Sequence, residues 1–367
     1  MSRGICLDIL LFAYISFSFI VFAFLLALDL SHPFRKKVTV KKVRGYEPDV
    51  LVIVPCRGRD IALESNLASI KRQRYRRFRV VAVVDAESDS SIPIIRKQGI
   101  DFIISGGPKR RSSGKVAAIL AAIRRFGSYN TYVIADSDIR VDAFWLKNLI
   151  APMADPAVGI STMFPYFNPT GGFWTEVKMV WGFVGESLLE SESSRFGWGG
   201  SLAFRKELID RQFAHLAAKT VFGVSDDICI TMSAKRKGLR IAYTRASQPR
   251  VNSYDNFSGF YEWANRQTAL TLLGYRGNLY RGIIYYSSEI ILLLSGIVLT
   301  VAVSPIFLVY FIHLLRSYAK AFGRAGSAYA SLLLIVPMMP FLYLSNLLAA
   351  RSMREITWRG RRYPLYK

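Results

Sequence analysis

The chain is poor in cysteine, histidine and acidic charge. Its 367 residues include 3 Cys and 3 His. Cys6, Cys56 and Cys229 are isolated, and no CxxC or metal-ligand spacing occurs. That excludes a disulfide-stapled class and fits a reducing compartment. His32, His215 and His313 stand too far apart along the chain to suggest a His-based metal site. With 26 Gly, the collagen-like classes are excluded as well. Asp and Glu number 26 against 49 Lys and Arg, a net charge of +23. What the chain has in plenty is apolar residues, at 51%, which rules out disorder. Strong positive charge beside so much apolar sequence points to a membrane protein whose basic part faces the anionic, cytoplasmic leaflet. The length allows two or three domains.

Residues 5–30 read ICLDILLFAYISFSFIVFAFLLALDL. Between Asp8 and Asp29 lie 20 uncharged residues, enough for one helix across a hydrocarbon core of ~30 Å. A cleaved signal peptide is the bland alternative, but the run exceeds the ~7–15 residues of such a segment and no A-x-A site follows. Arg35, Lys36, Lys37, Lys41, Lys42 and Arg44 come next, against Arg3 alone before the run. Positive charge stays inside, so the N-terminus is expected outside and residues 35 onward in the cytoplasm. Residues 283–315 are again apolar, long for one span and short for two, with Ser304-Pro305 a turn or a kink. Residues 329–350 form another span. The final segment, RSMREITWRGRRYPLYK, is basic and is expected to be a cytoplasmic tail. The expected division is 1–34 (N-terminal transmembrane helix), 45–255 (α/β domain), 256–282 (amphipathic interface helix), 283–350 (two C-terminal spans, or three) and 351–367 (basic tail). The expected place is the cell membrane, multi-pass.

Between 49 and 250, β-branched runs alternate with helical stretches. DVLVIVP (49–55), RVVAVVD (79–85), DFIIS (101–105) and TYVIAD (131–136) read as strands. Residues 60–73, 90–98 and 114–126 read as helices. Such alternation predicts a mostly parallel, Rossmann-like sheet covered by helices. Ligands bind such sheets at the carboxyl ends of strands. Arg57, Asp85, Asp136 and Asp138 stand at those ends.

Asp136-Ser137-Asp138 puts two carboxylates at one bend, where they could share a hard cation such as Mg²⁺ or Mn²⁺. One capping and one solvated Asp would give the same letters. Gly114-Lys115 opens a helix; the lysine could reach a diphosphate, or sit in a solvated basic loop. Asp226-Asp227 starts another helix after Ser225, which suits both a capped first turn and a general base. Trp198-Gly199-Gly200 lies in a Gly-rich turn where backbone could approach an acceptor and the indole could stack on a sugar; a tight hairpin is the alternative. In 256–282, Phe257, Phe260, Tyr261, Trp263 and Ala264 lie near Arg266, as on a helix at a membrane surface.

Taken in order, VIVPCRG (52–58), VVDAESD (83–89), Gly114-Lys115, ADSD (135–138), GGSLAFRKEL (199–208), SDD (225–227) and ITWRGRRYPL (356–365) resemble a membrane-bound family 2 glycosyltransferase. The likeness is to the ceramide glucosyltransferase-like, family 21-like subgroup and covers nearly the whole chain. It implies a cytoplasmic GT-A domain between N- and C-terminal transmembrane helices. It also implies inverting transfer from a nucleotide sugar, UDP-glucose or similar, to a hydroxyl of a membrane lipid. By that resemblance Asp85 holds the uracil–ribose end, and Asp136 and Asp138 form the D-x-D pair with Asp138 on Mg²⁺ or Mn²⁺. Asp227 is the base, with Asp226 where Glu is commoner. Arg57, Lys115 and Arg266 attend the donor. The family's Q-x-x-R-W motif is altered: Trp263 and Gln267 flank Arg266 in place of Gln and Trp. Transfer to a polyprenyl phosphate is the alternative, although an ionised phosphate needs no base. A processive polysaccharide synthase fits less, since it must pass a polymer through a channel and three or four spans are few for enclosing one. The basic run Lys71–Arg79 suggests a nucleic-acid binder, but a solvated face near anionic lipid explains it, and no nucleic-acid partner is expected.

Overall fold

A strand covered on both faces has to be apolar at nearly every position, which is how the runs at 50–55 and 131–135 read. The computed structural model describes residues 2–31, 45–108, 112–219, 221–326 and 329–365. The basic residues at 35–44, on which the expected orientation of the first span rests, and Lys109 to Arg111 of the basic loop lie outside the described residues.

The chain opens with helix α1 (Ser2–Ser31). It continues with β1 (Val50–Pro55), α2 (Leu63–Lys71), β2 (Phe78–Val84), α3 (Ile92–Lys97), β3 (Asp101–Ile104), α4 (Gly114–Arg125) and β4 (Thr131–Ala135). Next come β5 (Ile139–Arg140), α5 (Trp145–Ile150), β6 (Val158–Thr162), β7 (Tyr166–Pro169), α6 (Phe173–Glu190) and β8 (Ser201–Arg205). The α/β part closes with α7 (Arg211–Lys219), α8 (Asp226–Arg236), β9 (Arg240–Tyr243) and β10 (Arg250–Ser253). Helices α9 (Phe257–Gly274), α10 (Asn278–Ala302), α11 (Ile312–Ala325) and α12 (Leu332–Ser352) follow, and strands β11 (Glu355–Trp358) and β12 (Arg361–Pro364) end the chain. These elements group into two units. One holds Met1–Lys36, Glu176–Phe183 and Phe257–Ser352; the other holds Lys37–Thr175, Val184–Asn256 and Met353–Lys367.

The second unit is built on a seven-stranded sheet of order β3-β2-β1-β4-β8-β6-β9. Strands β3, β2, β1 and β4 are parallel. Only β8 runs against its neighbours, β4 and β6. The sheet is thus mostly parallel, as the alternating pattern predicts. Leu51, Ile53, Val81 and Val83 from one face share a core with Val116, Ile119 and Ala122 of α4 and with Phe204 and Phe213. Tyr132 stacks on Phe204 with ring centroids 5.7 Å apart. Val50, Val52 and Val54 point to the other face and are equally buried. The order reverses between β1 and β4, so chain leaves their carboxyl ends in opposite directions and a crevice opens there. A smaller sheet, β5-β10-β7, begins where the chain leaves β4.

The residues expected to be a basic tail fold as a hairpin in this same unit, β11 against β12. Ile356 and Tyr363, paired across the two strands, are buried and fasten it. Charge alone read as a tail; the two inward apolar side chains make it a strand pair.

The other unit is helical. Among the described residues, three helices are long and apolar enough to cross a membrane: Leu7–Ser31, Asn278–Ala302 and Leu332–Ser352. Ile9, Phe12 and Ile20 stand exposed on α1, as suits a surface facing lipid. Val21 and Leu25 on the inner side pack with Leu292, Leu299 and Tyr310. Asp29 and Glu289 each lie 2.7 Å from a ring nitrogen of His313. The apolar stretch 283–315 is not one long span. Helix α10 ends at Ala302, Ser304 Oγ accepts from Ile306 N–H, and Pro305 opens a short 3₁₀ helix. Helix α11, with 14 residues, is too short to cross. Within 256–282, α9 buries Phe260 and Ala264, and Trp263 meets Trp181 edge-on at 4.9 Å.

Phe204 is wholly buried between sheet and helices. Phe204→Ala should cost ~3–5 kcal/mol of stability. For a unit of this size that lowers the thermal midpoint by roughly 10 °C, measurable by scanning fluorimetry of the detergent-solubilised protein.

Candidate active site

Three parallel strands deliver the site. Arg57 follows β1, Asp85 follows β2, and Asp136, Ser137 and Asp138 follow β4. Pairing β8 antiparallel to β4 sets Ser201 opposite Ala135. The turn before β8 therefore lies at the carboxyl end of β4, and Asp136 N–H donates to the Gly200 carbonyl at 3.1 Å. Ser113 caps α4 by accepting from Val116 N–H at 3.2 Å, which starts the helix at Gly114 and presents Lys115 in its first turn.

Lys115 is the centre of the arrangement. Its Nζ lies 2.7 Å from Asp136 Oδ1, 3.3 Å from Asp226 Oδ2 and 3.1 Å from the Gly199 carbonyl. The side chain is only 9% exposed. Burial opposes its charge, but Asp136 and Asp226 outweigh that and raise its pKa above the ordinary lysine value. Burial raises Asp136 and Asp226, and Lys115 pulls both back. The glycines are dictated by this cluster. A Cβ on Gly199 would stand 2.5 Å from Asp226 Oδ2, and one on Gly200 would stand 2.1 Å from the Trp198 ring. Gly199 and Gly200 thus make room for the ion cluster and for the indole.

The Asp226-Asp227 pair is divided by its surroundings. Asp226 is buried and faces Lys115. Asp227 is partly exposed, and its Oδ1 accepts from Ser225 Oγ and, at 2.8 Å, from Ile228 N–H.

Asp138 has no such cation. Its Oδ1 is buried without a hydrogen-bond partner. Burial first, then Asp136 and Asp60, push its pKa up to about 7. Such a carboxylate suits a cation. Among the described residues no three His, Cys, Asp or Glu side chains gather into a complete cage. A cation shared with a diphosphate needs only one or two carboxylates, and Asp138 beside Asp136 fits that need.

Arg57 lies 3.9 Å from Asp85. Beside them a cavity of about 510 Å³ opens, lined by Arg57, Asp85, Ser88, Asp89, Arg359 and Arg361. A larger one, about 760 Å³, sits by Arg79, Asp101 and Arg125. Arg79 and Asp101 stand toward the amino ends of β2 and β3, the wrong rim for a parallel sheet's ligand. The structure thus brings together Lys115, Asp136, Asp138, Asp226 and the Trp198–Gly200 turn, with Asp85 and Arg57 on the same rim. Arg266 belongs to α9 in the helical unit. Residues that sequence reasoning passed over also stand here. Asp60 accepts from Ser137 Oγ and pairs with Arg359 at 2.5 Å, and Arg361 pairs with Asp85 at 2.9 Å. Their signal was Arg-Gly between two short β-like runs, a hairpin pattern.

Fold and rim together define a GT-A glycosyltransferase. The chain matches the family described as Glycosyl transferase family 21 over residues 15–367 and belongs to it. Among solved structures it is similar to a mannosyltransferase from Pyrobaculum calidifontis in complex with GDP-Man and Mn²⁺. That likeness covers 92% of this chain and 94% of the other, with 18% identity and a TM-score of 0.51. A glucosyl-3-phosphoglycerate synthase from Mycobacterium tuberculosis in complex with Mn²⁺ and UDP-glucose matches 61% of this chain and 78% of its own, with 16% identity and a TM-score of 0.42. The protein is a transferase enzyme of glycosyl groups.

The raised Asp138 pKa has a consequence for stability. The folded carboxyl keeps its proton to about pH 7, the unfolded one only to about pH 4. Folding takes up a proton in that window, so stability falls as pH rises through it. In EDTA the wild-type melting temperature should drop relative to Asp138→Asn between pH 5 and pH 8. Added Mn²⁺ should restore the wild type at pH 8 and leave the variant unmoved; parallel pH profiles would reject the assignment.

Proposed function

We propose that the protein transfers a sugar, with inversion, from a nucleotide-sugar donor such as UDP-glucose to a hydroxyl of a membrane lipid at the cytoplasmic face. The observation that carries this reading is the buried, unpartnered Asp138 oxygen beside the Lys115–Asp136–Asp226 cluster, on the carboxyl rim of the sheet. A rim with one buried cation and an unsatisfied carboxylate suits a diphosphate arriving with a divalent ion. The mannosyltransferase of similar fold was solved with such a pair, GDP-Man and Mn²⁺.

In this reading Asp138 and Asp136 would hold Mg²⁺ or Mn²⁺, which supplies charge neutralisation for the departing diphosphate. Lys115 and Arg57 stabilise the same charge as the bond from the anomeric carbon to phosphate lengthens. Asp85 orients the nucleoside end. Trp198, Gly199 and Gly200 shape the acceptor side. The acceptor oxygen bonds to the anomeric carbon from the opposite face, and Asp227 takes its proton. Asp226 is committed to Lys115, so the more accessible Asp227 is the better base. Two further features favour a lipid acceptor and a cytoplasmic catalytic unit: helices of membrane length, and the basic excess after the first of them.

Asp227→Asn keeps size and most hydrogen bonding but cannot accept the proton. Turnover should fall ~10²–10⁴-fold with donor affinity unchanged. A variant that turns over normally but melts earlier would make Asp227 a cap only and would favour a phosphate acceptor, which needs no base. Labelled nucleotide sugars given to membranes, followed by mass spectrometry of the lipids, identify the product bond.

Orientation has its own test. Arg236 is exposed on α8 of the α/β unit. In a background without the three native cysteines, Arg236→Cys should resist an impermeant thiol reagent in intact cells and react after lysis. Labelling from outside would overturn the cytoplasmic placement.

A further inference from the structure

The C-terminal hairpin carries more than charge. Strands β11 and β12 are joined by Arg359-Gly360 alone, with Trp358 opposite Arg361. Both loop residues have positive φ, 51° and 71°. A two-residue turn of that kind normally takes Asn, Asp or Gly first. Arginine in a left-handed conformation is strained, and surface ion pairs return little of that cost. The strained residue points at the site: Arg359 Nη2 reaches Asp60, whose other oxygen holds Ser137 between Asp136 and Asp138. Alternation along β12 then sets Arg361 and Tyr363 on one face and Arg362 on the other. Arg361 reaches Asp85, while Tyr363 OH accepts from Gly114 N–H, at the start of α4, at 3.4 Å. Arg362 points away, its side chain 78% exposed.

The Arg361–Asp85 contact is incomplete. The two atoms are 2.9 Å apart, yet Arg361 Nη1 and Asp85 Oδ2 are both buried without a hydrogen bond. The adjoining cavity of about 510 Å³ is lined by three arginines, Arg57, Arg359 and Arg361, against Asp85 and Asp89. Asp89 is already engaged by Gly58 N–H and by Ser91. The cavity therefore favours an anion with several oxygens, and guanidinium groups bind phosphate oxygens bidentately.

We propose that the hairpin is part of the donor site, and that Arg359 and Arg361 bind the phosphate oxygens of the nucleotide. This rests on the transferase reading above. The hairpin brings its two arginines from the far end of the chain to the rim, one at the Asp60–Ser137 end beside the D-x-D pair and one at Asp85. Without phosphate, the carboxylates hold the arginines in position. With it, Arg361 Nη1 gains an aligned hydrogen bond that its ion pair with Asp85 does not supply.

The test uses the full-length protein in nanodiscs, with UDP, GDP, inorganic pyrophosphate and uridine as probes in Mg²⁺, read by calorimetry. Arg359→Gln and Arg361→Gln should each weaken UDP or GDP binding about 10–100-fold, the size of a lost charge-assisted hydrogen bond. Pyrophosphate binding should weaken likewise, and uridine binding should hold. Arg361→Lys should recover part of the loss, and Arg362→Gln should match the wild type. Melting curves accompany every variant. Nucleotide binding that is unchanged in both Gln variants, or a loss shared equally by uridine and UDP, would make the hairpin a structural strap and overturn the proposal while the transferase reading stands. Failure of that reading looks different: the wild type itself would bind no nucleotide, and the hairpin role would fall with it.

Discussion

The site depends on a single buried ammonium. Lys115 sits between Asp136 and Asp226, and to do so it needs three elements to converge: the start of α4, the end of β4 and the start of α8. A buried ion cluster of this kind is costly to break, because the remaining charges stay in low dielectric. It therefore ties the rim of the sheet together. The cluster also leaves the rim over-supplied with carboxylate. Lys115 answers Asp136 and Asp226, Arg359 answers Asp60, and Asp138 is left with an unpartnered oxygen and a pKa near neutrality. The same imbalance makes the fold less stable as pH rises, and it is the feature on which the proposed metal role rests.

Small residues make that cluster possible. Gly199 gives Asp226 and Lys115 their space, and at Gly200 the absence of a Cβ leaves room for the Trp198 ring. Neither glycine has a left-handed backbone that would require it. Their requirement is steric, set by atoms distant in sequence. A Cβ at either place would push the Trp198–Gly200 turn away from the end of β4, and with it the Gly199 carbonyl that Lys115 donates to.

The +23 net charge is not uniform in meaning. Exposed arginines such as Arg77 and Arg362 make weak ion pairs in solvent and serve the general field. Lys115, Arg359 and Arg361 are drawn onto carboxylates at the rim, and for the buried Lys115 low dielectric strengthens the contact. In the helical unit, apolar faces are left outward while the few polar groups pair among themselves, as Asp29, His313 and Glu289 do. Each unit satisfies the solvent its surface chemistry suits.

Local pattern alone determined a good part of this. Runs such as VLVIVP and TYVIA are apolar at nearly every position, so they predict buried parallel strands, and the four runs at 49–55, 79–85, 101–105 and 131–136 were all found as strands within a residue or two. The apolar lengths of α1, α10 and α12 follow from hydropathy because a bilayer's thickness is a one-dimensional constraint. The strand-end positions of Arg57, Asp85, Asp136 and Asp138 were legible too, since a parallel sheet exposes those ends. Tertiary structure alone decided the rest. Which of Asp226 and Asp227 faces Lys115 depends on the orientation of α8 by fractions of a turn. That Gly199 is a socket for an ion pair depends on strand β8 running antiparallel to β4. And that a basic C-terminal stretch closes on Asp60 and Asp85 depends on contacts across some three hundred residues. Periodicity reports which face of an element is apolar; it carries no information about which distant charges will meet once the chain has folded.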